Sequence, residues 1–220
     1  LEDQWFFHAV ADVLIAKSLL KSFPQVDETK IGITGISWGG ILTNVITGLD
    51  NDFAFSVPVY GCGFLQETPH YSKMLMRLSK EQPEFYLKNW EPSLYIPFQK
   101  QPTLFVNGTN DFHFTMNSFT KTFEASNSEK YSYVKYNMKH GHWPGWESET
   151  IYDFADYVIK NDKKPQTVRA KICGNAELAH ATTRSEPHVN GTISILHITP
   201  SPPALPPAEA YPSSSEGSAG

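Results

Sequence analysis

The chain has 220 residues, of which 40% are hydrophobic and 13% aromatic, and a formal net charge of −5. That length supports one domain with a sizeable core, and an acidic balance without any basic block argues against a nucleic-acid partner. Cys62 and Cys173 fit no metal spacing and read as ordinary thiols, and no apolar run is long enough to span a membrane.

The chain opens at Leu1, without a signal pattern, and enters a helix directly, so an upstream segment is expected and the compartment is left open. Leu1 to Ser22 reads as an amphipathic helix ended by Pro24. Ile31 to Ile36 is a short strand whose crowded apolar residues suit burial on both faces. Ile41, Leu42, Val45, Ile46 and Leu49 form the stripe of the next helix. Phe53 to Tyr60 is a second strand, weakened near its end by Pro58.

Gly61 to Lys100 is a long, irregular stretch with a helical piece around Tyr71 to Lys80, either a lid or a packed surface excursion. A strand at Thr103 to Val106, a helix at Phe114 to Ala125 and a strand at Tyr131 to Met138 follow. His140 to Trp146 reads as a loop, and Glu149 to Lys160 as the last clear helix. Strands alternating with helices predict an α/β fold with a parallel sheet covered on both faces. Residues 1–164 form this domain. Residues 165–200 are an extension with isolated strands at Val168 to Cys173 and Thr192 to Ile198, and residues 201–220 a Pro- and Ser-rich tail expected to be disordered.

Gly35-Ile36-Ser37-Trp38-Gly39 is a G-x-S-x-G match lying between a strand and a helix. A serine hydroxyl there is a poor nucleophile until a base takes its proton, and the base needs a third group to orient it. Reactive groups in such sheets gather at the carboxyl ends of strands. Ser37 follows the first strand, Asp111 the third, and His140 and His142 the fourth, which is the Ser, acid, His order of α/β-hydrolases.

Asp111 has a second reading as a cap for the helix near Phe114, and Asp52 and Glu67 are weaker rivals for the acid. Between the histidines, His142 is favoured as base because Gly141 and Gly145 free its loop, with His140 as the alternative. A metal between them lacks further ligands, so neither metal nor cofactor is expected. The Trp38 N–H is the expected first oxyanion donor, the second normally coming from a loop after an earlier strand. Trp143 and Trp146 are candidates for a pocket wall, with core packing the plain alternative for each. Asn107-Gly108-Thr109 and Asn190-Gly191-Thr192 match the weak glycosylation triplet.

Four motifs together carry a resemblance: Gly35 to Gly40 (G-I-S-W-G-G), Val57 to Phe64 (V-P-V-Y-G-C-G-F), Val106 to Asp111 (V-N-G-T-N-D) and His140 to Trp146 (H-G-H-x-x-G-W). The chain resembles the acetyl xylan esterase and dienelactone hydrolase-like branch of the α/β-hydrolases, to which prolyl oligopeptidase-type catalytic domains are related. The resemblance spans Leu1 to Lys160. It implies Ser37 as nucleophile, Asp111 as acid and His142 as base, acting on a small-molecule or carbohydrate ester. It also implies about four more strands before Leu1, so that the Ile31 strand would lie at a sheet edge here and the chain be only part of a hydrolase. A prolyl oligopeptidase-type peptidase and a non-catalytic fragment or binding module are the competing readings.

Overall fold

The computed structural model describes residues 4–77, 81–161 and 195–198. The expected strand at Val168 to Cys173, the second glycosylation triplet and the tail from Ser201 lie outside these residues, as does most of the 165–200 extension.

Helix α1 (Trp5–Lys21) buries Phe6, Val10, Val13 and Lys17, a three- and four-residue spacing that fits one helical face. Strand β1 (Gly32–Ile36) is buried throughout and runs straight into α2 (Trp38–Leu49). Strand β2 (Ser56–Val59) is shorter than the apolar run around it, but Phe53, Phe55 and Tyr60 flanking it are buried all the same. After the excursion come β3 (Thr103–Gly108), α5 (Met116–Ala125) and β4 (Lys130–Lys135). The expected loop at His140 to Trp146 contains one short helix, α6 (His142–Trp146), and α7 (Glu149–Lys160) closes the main body.

The sheet has the order β4-β3-β2-β1-β5, where β5 is Ile195–Ile198, and every pairing is parallel. The expected exposed edge at the Ile31 strand is therefore corrected: β1 is flanked by β2 on one side and by β5 on the other. One face of the sheet packs on α2, whose Ile41, Leu42, Val45 and Ile46 are fully buried. The other packs on α7, where the Phe154 ring meets Phe55 at 6.0 Å and Tyr131 at 5.4 Å. Burial on both faces crowds β1, β2 and β3 with buried residues throughout, whereas β4 alternates.

The excursion after β2 is packed, not free. It holds α3 (Pro69–Met76) and α4 (Glu81–Asn89), and Tyr71, Leu75, Trp90 and Ile96 are buried. Helix α3 starts at a Thr68 cap with Pro69 in its first turn, which places it slightly before the expected piece. The Glu91 carboxylate, 2% exposed, ties the two ends of the stretch by accepting from Leu65 N at 3.2 Å and Ser93 N at 2.7 Å. Burial raises its pKa above the usual carboxylate range, against these hydrogen bonds.

Candidate active site

Ser37 stands between β1 and α2 with φ 60° and ψ −115°, a conformation that a non-glycine residue rarely adopts and that costs on the order of 1–3 kcal/mol. Its surroundings hold it there. Ser37 N donates to Val59 O at 2.9 Å, and Ile41 N donates to Ser37 O at 3.0 Å. The turn is tight enough that a Cβ on Gly35 would lie 2.2 Å from the Gly39 carbonyl oxygen. Gly35 is thus required by backbone contact, and the result is a serine hydroxyl at the carboxyl end of the sheet.

Asp111 follows β3 and is 5% exposed. Its Oδ1 accepts from His113 N at 2.8 Å and Phe114 N at 3.0 Å, while its Oδ2 lies 2.8 Å from His140 Nδ1. The helix-cap reading is corrected: α5 starts at Met116 with Thr115 as its N-cap, and Asp111 Oδ1 closes the turn ahead of that helix while Oδ2 faces the imidazole. His140 completes the chain of contacts, with Nε2 at 2.9 Å from Ser37 Oγ.

The preference for His142 as the histidine in this chain of contacts is therefore corrected in favour of His140. Strand β4 stops at Lys135, and the chain turns through Asn137 at φ 55° onto Met138, which is 3% exposed. Met138 is packed so closely that a Cβ on Gly108 would come within 2.0 Å of its carbonyl oxygen. That anchor sends His140 back over the strand ends. His142 already belongs to α6 and is exposed.

Aromatic rings hold the His140 imidazole. Tyr60 lies at 4.9 Å, His113 at 4.3 Å and Phe114 at 5.9 Å between ring centroids. Burial pushes the Tyr60 phenol well above its ordinary range, so it stays neutral beside the imidazole. His113 is held down to about 4, first by burial and then by the neighbouring His140 and His70, with Asp111 opposing. Sequence reasoning missed Tyr60 and His113. Tyr60 directly follows β2 and was within reach of the same strand-end argument; His113 is signalled only by its nearness to Asp111.

The remaining expected residues are more scattered. Trp38 opens α2, where first-turn N–H groups have no acceptor within the helix, as an oxyanion donor requires. Its ring packs on Trp5 at 5.5 Å and Tyr71 at 5.7 Å. Trp146 packs on the core and lines a cleft of about 160 Å³ with Thr34, Ile36, Val59, Ile151 and Tyr152. Trp143 is 76% exposed and is absent from that lining, so the two do not wall one pocket.

Asp52 is paired with Lys21 and Lys17, and Glu67 with Lys121, which removes both rivals for the acid. Asn107 of the first glycosylation triplet is fully buried and donates to Phe114 O at 2.9 Å. Among the described residues no group of His, Cys, Asp and Glu converges as metal ligands, and no helix is long and apolar enough to cross a membrane.

A serine elbow opening onto the carboxyl end of a parallel sheet, with helices on both faces, marks the α/β-hydrolase fold. The model of the prolyl oligopeptidase family matches residues 2–161, and the chain belongs to that family of serine hydrolases. Solved structures agree on the fold. An acetyl xylan esterase from Paenibacillus sp. R4 superposes with a TM-score of 0.60 at 18% identity, covering 68% of this chain and 52% of that one. An acylaminoacyl peptidase from Pyrococcus horikoshii gives 0.61 at 22%, covering 72% and 29%. A puromycin-hydrolyzing peptidase from Mycobacterium tuberculosis gives 0.61 at 18%, covering 75% and 27%. The chain thus spans about half the length of the acetyl xylan esterase, 52%, and a smaller share of the peptidases. No curated protein sequence matches it.

Proposed function

We propose that this chain carries the catalytic residues of a serine ester hydrolase that removes small acyl groups, acetyl among them, from an alcohol or carbohydrate. The observation that carries the reading is the unbroken contact chain Ser37 Oγ, His140 Nε2, His140 Nδ1, Asp111 Oδ2, at 2.9 and 2.8 Å. In this reading Ser37 Oγ attacks the ester carbonyl carbon while His140 Nε2 takes its proton. Asp111 holds the Nδ1 proton and stabilises the imidazolium. The Trp38 N–H receives the oxyanion. Collapse breaks the bond to the alcohol oxygen, which leaves with the proton from Nε2. Water, deprotonated by the same nitrogen, then cleaves the acyl-enzyme and releases the acid.

The name of the acetyl xylan esterase neighbour supports an acetyl substrate. The prolyl oligopeptidase family model and the acylaminoacyl peptidase neighbour favour a second reading, a peptidase using the same residues. Labelling of the chain by a fluorophosphonate, abolished in Ser37→Ala, tests the nucleophile. Turnover of p-nitrophenyl acetate against a Pro-containing peptide amide separates the readings. Labelling that survives Ser37→Ala sinks both.

A further inference from the structure

Next to His140 the structure exposes a cluster of flat rings. Phe112 is 64% exposed. Its ring meets His113 at 4.0 Å and His70 at 6.1 Å, and His70 meets His113 at 3.9 Å. The cluster reaches the base directly, since His113 and Phe112 lie 4.3 and 6.4 Å from the His140 ring.

Its placement follows from the acid. Asp111 Oδ1 binds the N–H groups of residues 113 and 114, which tightens the turn and sends Phe114 into the core at 0% exposure. Phe112 is left facing solvent. From the other side α3 brings His70 against His113, so two separate elements build the cluster. His113 stays neutral down to about 4, so the cluster presents uncharged ring surface beside the base at neutral pH as far as that residue is concerned.

In a triad mechanism the base gives its proton to the departing group, so surface adjoining the base adjoins that group. We propose that His70, Phe112 and His113 form a shelf that receives a flat, aromatic leaving group, so that the site favours esters of aromatic alcohols. This rests on the hydrolase reading above. Stacking is the natural contact, because offset and edge-to-face ring pairs are favoured beyond the area they bury.

The test compares benzyl acetate with cyclohexylmethyl acetate, whose alcohols differ in flatness far more than in size or acidity. Wild-type chain is expected to favour the benzyl ester. Phe112→Leu, an exposed apolar exchange, is expected to lower kcat/KM for it by about threefold to tenfold, the size of one ring contact, through KM. The cyclohexylmethyl ester should be little affected, and so should the contrast between ethyl phenylacetate and ethyl cyclohexylacetate, which varies only the acyl side. Equal loss on both acetates, no loss, or a loss that follows the acyl group overturns the shelf.

A second arm needs no turnover. Benzyl alcohol, and not cyclohexylmethanol, should shift the ring proton resonances of His70 and His113, and Phe112→Leu should reduce the shifts. Absent or indiscriminate shifts overturn the shelf even where Ser37-dependent hydrolysis stands. Ring shifts with no turnover of either acetate keep the shelf and overturn the ester reading on which it was built.

Discussion

Gly40 and Gly61 meet backbone to backbone: a Cβ on Gly61 would lie 2.1 Å from the Gly40 carbonyl carbon. One glycine is in the first turn of the helix under Ser37, the other just beyond β2, and the Asn44 amide donates to Gly61 O beside them. The serine elbow is seated on this contact. Gly61→Ala is expected to cost at least about 1–3 kcal/mol by overpacking, because the nearest atoms are backbone and cannot rotate away. Urea denaturation measures it, and a change below about 0.5 kcal/mol contradicts the close approach.

The histidine assignment is checked by a paired substitution. His140→Gln is expected to reduce turnover by several orders of magnitude, on the scale of losing a triad member. His142→Gln, on the exposed start of α6, is expected to leave turnover within about twofold, as an exposed side chain outside the contact chain should. The reverse ranking, read from p-nitrophenyl acetate hydrolysis, restores His142.

His113 makes stability depend on pH. In the folded chain its pKa is lowered to about 4 from 6.5. As pH falls through 6.5 the unfolded chain takes up a proton that the folded chain refuses until about pH 4. The stability contribution of this residue is therefore full above 6.5, falls between 6.5 and 4, and is level below. The groups facing its ring are His140, His70, Phe112 and Tyr71, with Asp111 acting on it from its own turn. His113→Phe should flatten that part of a urea-midpoint curve. A slope that is unchanged counts against the depressed pKa.

Lys17 fastens α1 to the turn after α2. Its Nζ lies 2.6 Å from Asp50 Oδ2 and 4.4 Å from the Phe53 ring centroid, and its side chain is 6% exposed against 25% for Asp50. Lys17→Ala is expected to cost about 2 kcal/mol, the range for hydrogen bonds to charged groups. Lys17→Met, which keeps the apolar stem, should cost less. Thermal melts rank the variants, and Met falling below Ala would show that packing of the stem contributes nothing.

Much of this site was readable from spacing alone. Ser37 and Asp111 each follow an apolar strand, and strands buried on both faces leave strong continuous runs. Which histidine faces Ser37 was harder to read, because the choice between His140 and His142 depends on where β4 stops. Glycine content pointed to His142, whereas burial of Met138 against Gly108, a long-range contact, decides for His140. The pairing of Ile195–Ile198 with β1 was unreadable for a related reason: partner choice between distant strands leaves no local mark. Trp143 and Trp146 show the limit of composition, since residues so close in sequence have opposite fates on one short helix.

The backbone of Ser37 also decides which side chains could ever replace it. At φ 60° a second heavy atom on Cβ crowds the chain, and the elbow is already closed in by Gly35 and Gly39. Cysteine has the same unbranched outline as serine and can take the position. Threonine cannot do so without opening the turn. The fold thereby admits an exchange of hydroxyl for thiol at this position in a single step and closes the route to a secondary alcohol.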